Sequence, residues 1–156
     1  MKKTMILAAF LILVAATANA QTLKSLFDKY GNDERFEYVS IGKGMLTMAQ
    51  LFGDTDDEDM EVLSKIKGLK VLTLTDGFDD TLQKTVLEEL NTVLEAGNFE
   101  TLVEVRDKDE RVNIYTQTSK KDETDMLVVT KDSSELNMIW IKGKLSAEEL
   151  MTMLDD

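Results

Sequence analysis

The chain predicts an α+β fold: a largely antiparallel sheet of about five to six strands ending in a four-strand meander, with helices mainly on one face. Two observations carry this. From Phe99 to Ile141 there are four successive strand-like runs separated by three short polar connections, the pattern of antiparallel hairpins. Upstream, two further strand-like runs alternate with segments whose apolar residues recur every three to four positions, the helical period. The predicted order is helix, strand, two helices, strand, helix, four strands, helix.

The first twenty residues stand apart. Met1-Lys-Lys is basic, Met5 to Ala16 is apolar, and Ala18-Asn-Ala20 precedes Gln21. This is the pattern of a secretory signal peptide, and the apolar run falls short of the ~20 residues needed to span a bilayer. Residues 1–20 are thus expected to be removed, leaving 21–156 as one domain that is periplasmic or secreted, with no membrane span. Cleavage would also remove Lys2 and Lys3 and take the formal net charge from −12 to −14.

Within the domain, Leu23, Leu26, Phe27 and Tyr30 make one helix face, with Thr22 placed to cap it and Gly31 to end it. Phe36 to Ile41 reads as a strand, and Gly42-Lys-Gly44 breaks it before an amphipathic helix bearing Met45, Met48, Ala49 and Phe52. The Gly-Lys-Gly turn lacks the remaining glycine and the Lys-Ser/Thr pair of a phosphate loop. Thr55 and Glu58 fit a capping box for a short helix with Met60, Leu63 and Ile66, stopped by Gly68. Leu69 to Thr75 is a strand apolar at both parities. Asp80 opens the longest helix, lined by Leu82, Val86, Leu90, Val93 and Leu94, with Gly97 as its stop.

The meander follows. Period-two alternation puts Phe99, Thr101, Val103 and Val105 on one face, with Leu102 as the apolar exception on the other. In the next strand it puts Val112, Ile114 and Thr116 inward, and Arg111, Asn113, Tyr115 and Gln117 outward. Met126 to Val129 and Leu136 to Ile141 are apolar at both parities, so both faces are expected to be covered. Ser146 and Glu149 fit a capping box for a last helix bearing Leu150, Met151 and Leu154.

Several chemistries are excluded by composition. The chain has no histidine and no cysteine, which removes Ser-His-Asp and Cys-His catalysis, thiol redox chemistry, ordinary zinc sites, disulfides and lipid attachment through cysteine. No cofactor motif is present. The acidic balance disfavours nucleic acid and anionic membrane surfaces, and over the whole surface it suits a cationic partner or a divalent ion. The densest acidic cluster, Asp54, Asp56, Asp57 and Asp59, is a weak metal candidate. It does not make an EF-hand, because the sixth and twelfth positions from Asp54 are Asp59 and Lys65 instead of glycine and glutamate. Capping and solvation account for the same residues. Tyr115 and Trp140 are the weak binding candidates, Tyr115 because alternation turns it outward among polar residues; each also fits ordinary cross-strand packing.

The runs Leu69 to Leu72, Val112 to Tyr115, Leu127 to Val129, Ile139 to Gly143 and Leu145 to Leu150 together resemble the domain-of-unknown-function family 4252, exported proteins of Gram-negative bacteria. The resemblance spans nearly the whole domain and implies a fold and a compartment, with no catalytic residues to transfer. Some similar proteins look like lipoproteins, and this chain departs from them in lacking the cysteine. The sequence therefore leaves the biochemical function unknown. Its leading expectation is a non-enzymatic module that binds another envelope protein or peptide. The alternatives are a carboxylate-based or calcium-assisted hydrolase, and an accessory or sensor in envelope stress signalling. Oligomeric state stays open.

Overall fold

The computed structural model describes residues 22–45, 61, 64–75, 80–118, 123–144, 146 and 148–149. Eight elements follow in order: α1 (Leu23–Gly31), β1 (Glu37–Gly42), β2 (Ile66–Leu74), α2 (Asp80–Ala96), β3 (Glu100–Asp107), β4 (Glu110–Thr118), β5 (Thr124–Lys131) and β6 (Leu136–Gly143). The six strands form one sheet in the order β1-β2-β6-β5-β4-β3, and every neighbouring pair is antiparallel. β3 to β6 are the expected meander. It starts at the far edge and returns until β6 pairs with β2. Helix α2 carries the chain from β2 out to that edge; its 17 residues span about 25 Å, enough to cover four strand spacings of about 19 Å.

Local chemistry explains the helix limits. The Thr22 hydroxyl accepts from the Ser25 amide at 3.1 Å, and the Ser25 hydroxyl accepts from the Thr22 amide at 2.8 Å, a reciprocal cap on two otherwise orphaned donors. At the other end, the Asn32 side-chain amide donates to the Asp28 carbonyl at 2.8 Å. Helix α2 closes differently from the expectation that Gly97 would be the stop. Asn98 takes the left-handed conformation (φ 54°). The Phe99 amide donates to the Leu94 carbonyl at 3.1 Å and the Asn98 amide to the Glu95 carbonyl at 3.3 Å, a Schellman closure with Phe99 packing back onto the core beside Leu94. Gly97 is small for another reason. A Cβ there would stand 2.9 Å from the Phe99 ring and 3.2 Å from Gln117 Nε2.

The main core lies between the helices and one sheet face. Leu26, Phe27, Val86 and Leu90 meet Leu72, Leu127, Leu136 and Met138, all essentially excluded from solvent. Phe27 packs tilted on Trp140 with ring centroids 5.3 Å apart, the offset geometry aromatic pairs prefer. The helices are tied to each other through Glu89, which accepts from Lys29 Nζ and from the Tyr30 hydroxyl, each at 2.8 Å. Burial and the Glu89 carboxylate push the Tyr30 phenol far above its ordinary range. A second buried cluster on the opposite face joins Ile66, Ile114, Met126, Val128 and Ile141. β5 and β6 are thus buried at both parities, as their apolar runs require. That second face thins toward the edges, where Val39 and Val105 are each 50% exposed.

Two further sequence expectations are corrected. The register between β3 and β4 shifts between Thr101 and Val103, so a bulge at Leu102 reverses the alternation. Phe99 packs on the helix side and Val103 on the opposite side, where strict period two would put both on one face. Gly68 does not end a helix. Residues 64–65 are helical, and Ile66 to Leu74 is strand with Gly68 inside it.

Candidate functional site

Trp140 is the centre of the candidate site. It lies on β6 with its ring on the helix-bearing face, 7% exposed, and the antiparallel registers align it in one cross-strand row. From edge to edge the row reads Ser40, Lys70, Trp140, Leu127, Tyr115, Thr101. Tyr115 and Trp140 therefore share a face but are separated by Leu127, about 10 Å at the usual strand spacing. Tyr115 is half-buried beneath α2 and not free on a wet surface. Its hydroxyl accepts from Asn113 Nδ2 at 2.8 Å. The Asp54, Asp56, Asp57 and Asp59 cluster lies outside the described residues. Among the described residues no group of acidic side chains is close enough to hold a metal ion.

Two clefts meet at Trp140. The larger, about 380 Å³, runs between the start of α1 and the end of α2, with Leu23, Val93 and Phe99 as apolar wall and Gln117 and Asp125 as polar groups. The smaller, about 250 Å³, opens beside Ser40 to Gly42 of β1 and Lys67 to Lys70 of β2. Lys24, Trp140 and Lys142 line both. The Nζ atoms of Lys70 and Lys142 stand 5.4 and 5.5 Å from the centroid of the Trp140 ring, within cation–π range. Their positions follow from the strand periodicity: Lys70 is the cross-strand partner of Trp140 and Lys142 lies two residues further along β6.

Asp125 sits opposite Lys142 in the β5–β6 register and accepts from Trp140 Nε1 at 3.4 Å. Burial raises its carboxyl above the usual carboxylate range, against the opposing pull of Lys142 and the indole. A hydrolase of the two-carboxylate kind asks for a second acid in reach. Asp125 is the one carboxylate lining either cleft among the described residues.

In sum of charges the protein is acidic, yet Lys24, Lys67, Lys70 and Lys142 line the smaller cleft, and among the described residues no carboxylate is part of its lining. Three of the four have a carboxylate neighbour outside that lining, Lys142 facing Asp125 across the β5–β6 register. Lys24 pairs with Asp28 at 3.2 Å, and Lys67 pairs with Glu123. The lining of this cleft is thus cationic on a chain that is acidic overall.

Fold and site together define a six-stranded antiparallel α+β module with an aromatic and cationic cleft at one end of its sheet. The chain belongs to the family described as a domain of unknown function, DUF4252, whose profile matches residues 30–153. No curated protein and no solved structure matches it. Among the described residues no helix is long and apolar enough to cross a membrane.

Proposed function

We propose that this chain is an exported, non-enzymatic module that captures an extended segment of another envelope protein or peptide along the edge of its sheet. The carrying observation is the contrast between the two outer strands. β3 has a bulge at Leu102 and bears Glu100, Glu104, Arg106 and Asp107, features that keep an edge from pairing with other chains. β1 has none of them. It pairs with β2 over six residues without a register break, carries Glu37 as its single charge, and is exposed along almost its whole length. An unprotected edge offers a row of backbone donors and acceptors to an incoming strand. Export is supported by the basic, apolar and Ala-x-Ala order of residues 1–20.

The test is cross-linking capture from an envelope extract with wild-type protein and two proline variants, Val39→Pro and Ser40→Pro. Successive N–H groups of a strand point to opposite sides. One variant therefore removes a bond to β2, and the other removes only an outward donor. The expected result is a dominant captured protein lost in the variant that keeps its native circular dichroism and melting temperature. Undiminished capture by both folded variants would refute the edge as the binding element. Finding the Met1 end intact on protein recovered from the envelope fraction would refute cleavage after Ala20.

A further inference from the structure

We infer that the segment added to β1 is acidic, its carboxylates falling in the cleft lined by Lys24, Lys67, Lys70 and Lys142. The inference rests on the strand-capture reading above and names the chemistry of the partner. Geometry connects the two features. The cleft is bounded by Ser40, Ile41 and Gly42 of β1 itself, so the side chains of a strand paired to the end of β1 alternate into it on the helix-bearing face. Trp140 forms its floor beneath two lysines.

Charge complementarity selects the occupant. The cations gather on a chain carrying 30 acidic against 18 basic residues. A peptide carboxylate entering the cleft meets the ammonium groups of Lys70 and Lys142 held over an aromatic ring, whereas a lysine or arginine entering it meets those like charges and no lining carboxylate among the described residues. Such an arrangement acts mainly on specificity and on the rate of encounter. Both weaken with salt over the usual screening range. Lys24 and Lys67 are paired with Asp28 and Glu123 and Lys142 faces Asp125, which leaves Lys70, held over the Trp140 ring, as the cation aimed most directly at the occupant, with Lys142 beside it.

The experiment is a selection of displayed random peptides, roughly ten residues long to match a strand, on the purified protein. The same selection is made on Lys70→Glu/Lys142→Glu and on the milder Lys70→Gln/Lys142→Gln, each first shown to melt like wild type. Enriched peptides are then synthesised and titrated while the emission of Trp140, the single tryptophan in the chain, is followed. Enrichment of Asp and Glu on wild type is expected, with reversal toward Lys and Arg on the double Glu variant. Acidic peptides should bind the double Gln variant about tenfold more weakly, on the scale of two interfacial charge contacts.

Peptides that require an intact β1 edge but show no acidic bias would overturn this inference and leave strand capture standing. Acidic peptides indifferent to the β1 proline substitutions would overturn it too, since the anion would then bind without an added strand. No enrichment on wild type would sink both readings.

Discussion

Gly143→Ala tests the join between the two halves of the sheet. A Cβ at Gly143 would stand 2.5 Å from the Lys65 carbonyl oxygen, 3.0 Å from Ile66 Cα and 3.2 Å from the Lys65 carbonyl carbon. All three are backbone atoms, so no side chain can swing aside. The Lys65 carbonyl is also held, accepting from the Lys144 amide at 3.0 Å. Relief requires β6 to back away from the start of β2, where the register already shifts between Ile66 and Gly68. Overpacking of this kind is worth about 1–3 kcal/mol, and weakening the hydrogen bond adds about 1 kcal/mol. The expected loss is therefore about 3 kcal/mol, or roughly 10 °C in melting temperature for a domain of this size.

Two other glycines serve as controls for the change in backbone freedom. At Gly68 the new Cβ would lie an ordinary 3.6 Å from the Ile41 carbonyl, and at Gly42 it would meet nothing within 4 Å. Gly68→Ala and Gly42→Ala should therefore be neutral or up to about 1 kcal/mol stabilising. Urea unfolding followed by Trp140 emission and by far-ultraviolet circular dichroism measures all three. If Gly143→Ala unfolds within about 0.5 kcal/mol of Gly68→Ala, a margin typical of innocuous substitutions, the close approach of β6 to Lys65 is not real.

Phe27→Ala should cost about 3–5 kcal/mol, because the ring is fully buried and its loss leaves a cavity. It should also shift the Trp140 emission, since the two rings are in contact; an unchanged spectrum would contradict that contact. Asp125→Asn should stabilise the protein at neutral pH. Its folded pKa is raised by burial, so ionisation destabilises the native state as pH rises through and above the unfolded value. The advantage of the variant should vanish below about pH 4. Paired melts at pH 3.5 and pH 7 read this directly, and a gap that widens in acid would reverse the assignment.

Most of the fold was legible in the sequence because its elements obey simple periods. Leu23, Leu26, Phe27 and Tyr30 gave α1, and Thr22 marked its cap; all four apolar residues are buried. The hairpins were legible from polar turns such as Lys131 to Ser134. There the Asp132 carboxylate accepts from the Ser134 amide and hydroxyl and from the Glu135 amide, between 2.7 and 2.9 Å, and these bonds hold it below the usual carboxylate range. Leu102 carried a signal of its own, an apolar residue out of phase, but its meaning as a bulge depends on pairing with β4. The side of Tyr115 was misread for a related reason. Alternation separates two faces without saying which one the helices cover.

The site was far less legible. Ser40, Lys70 and Trp140 share one row across three strands although a hundred residues separate the first from the last. Only the strand order brings them together. A charged residue such as Lys70, set within a strand apolar at both parities, was the local trace of it. Net charge pointed the other way, because it sums over a surface while a cleft samples four side chains.

The placement of β6 between β2 and β5 has a consequence for how the protein comes into being. Until Leu136 and the residues after it have left the ribosome, the chain owns a two-stranded ribbon and a three-stranded one with no backbone ladder joining them. Neither has its full complement of neighbours, and a two-stranded ribbon is marginal alone in water. The strand that closes the sheet is the last to be synthesised, and it must find a partner more than sixty residues back. Late, long-range closure of this kind slows folding. It would keep the sheet of a growing chain open until β6 has been made, so that the two ribbons are joined only after their own strands are complete.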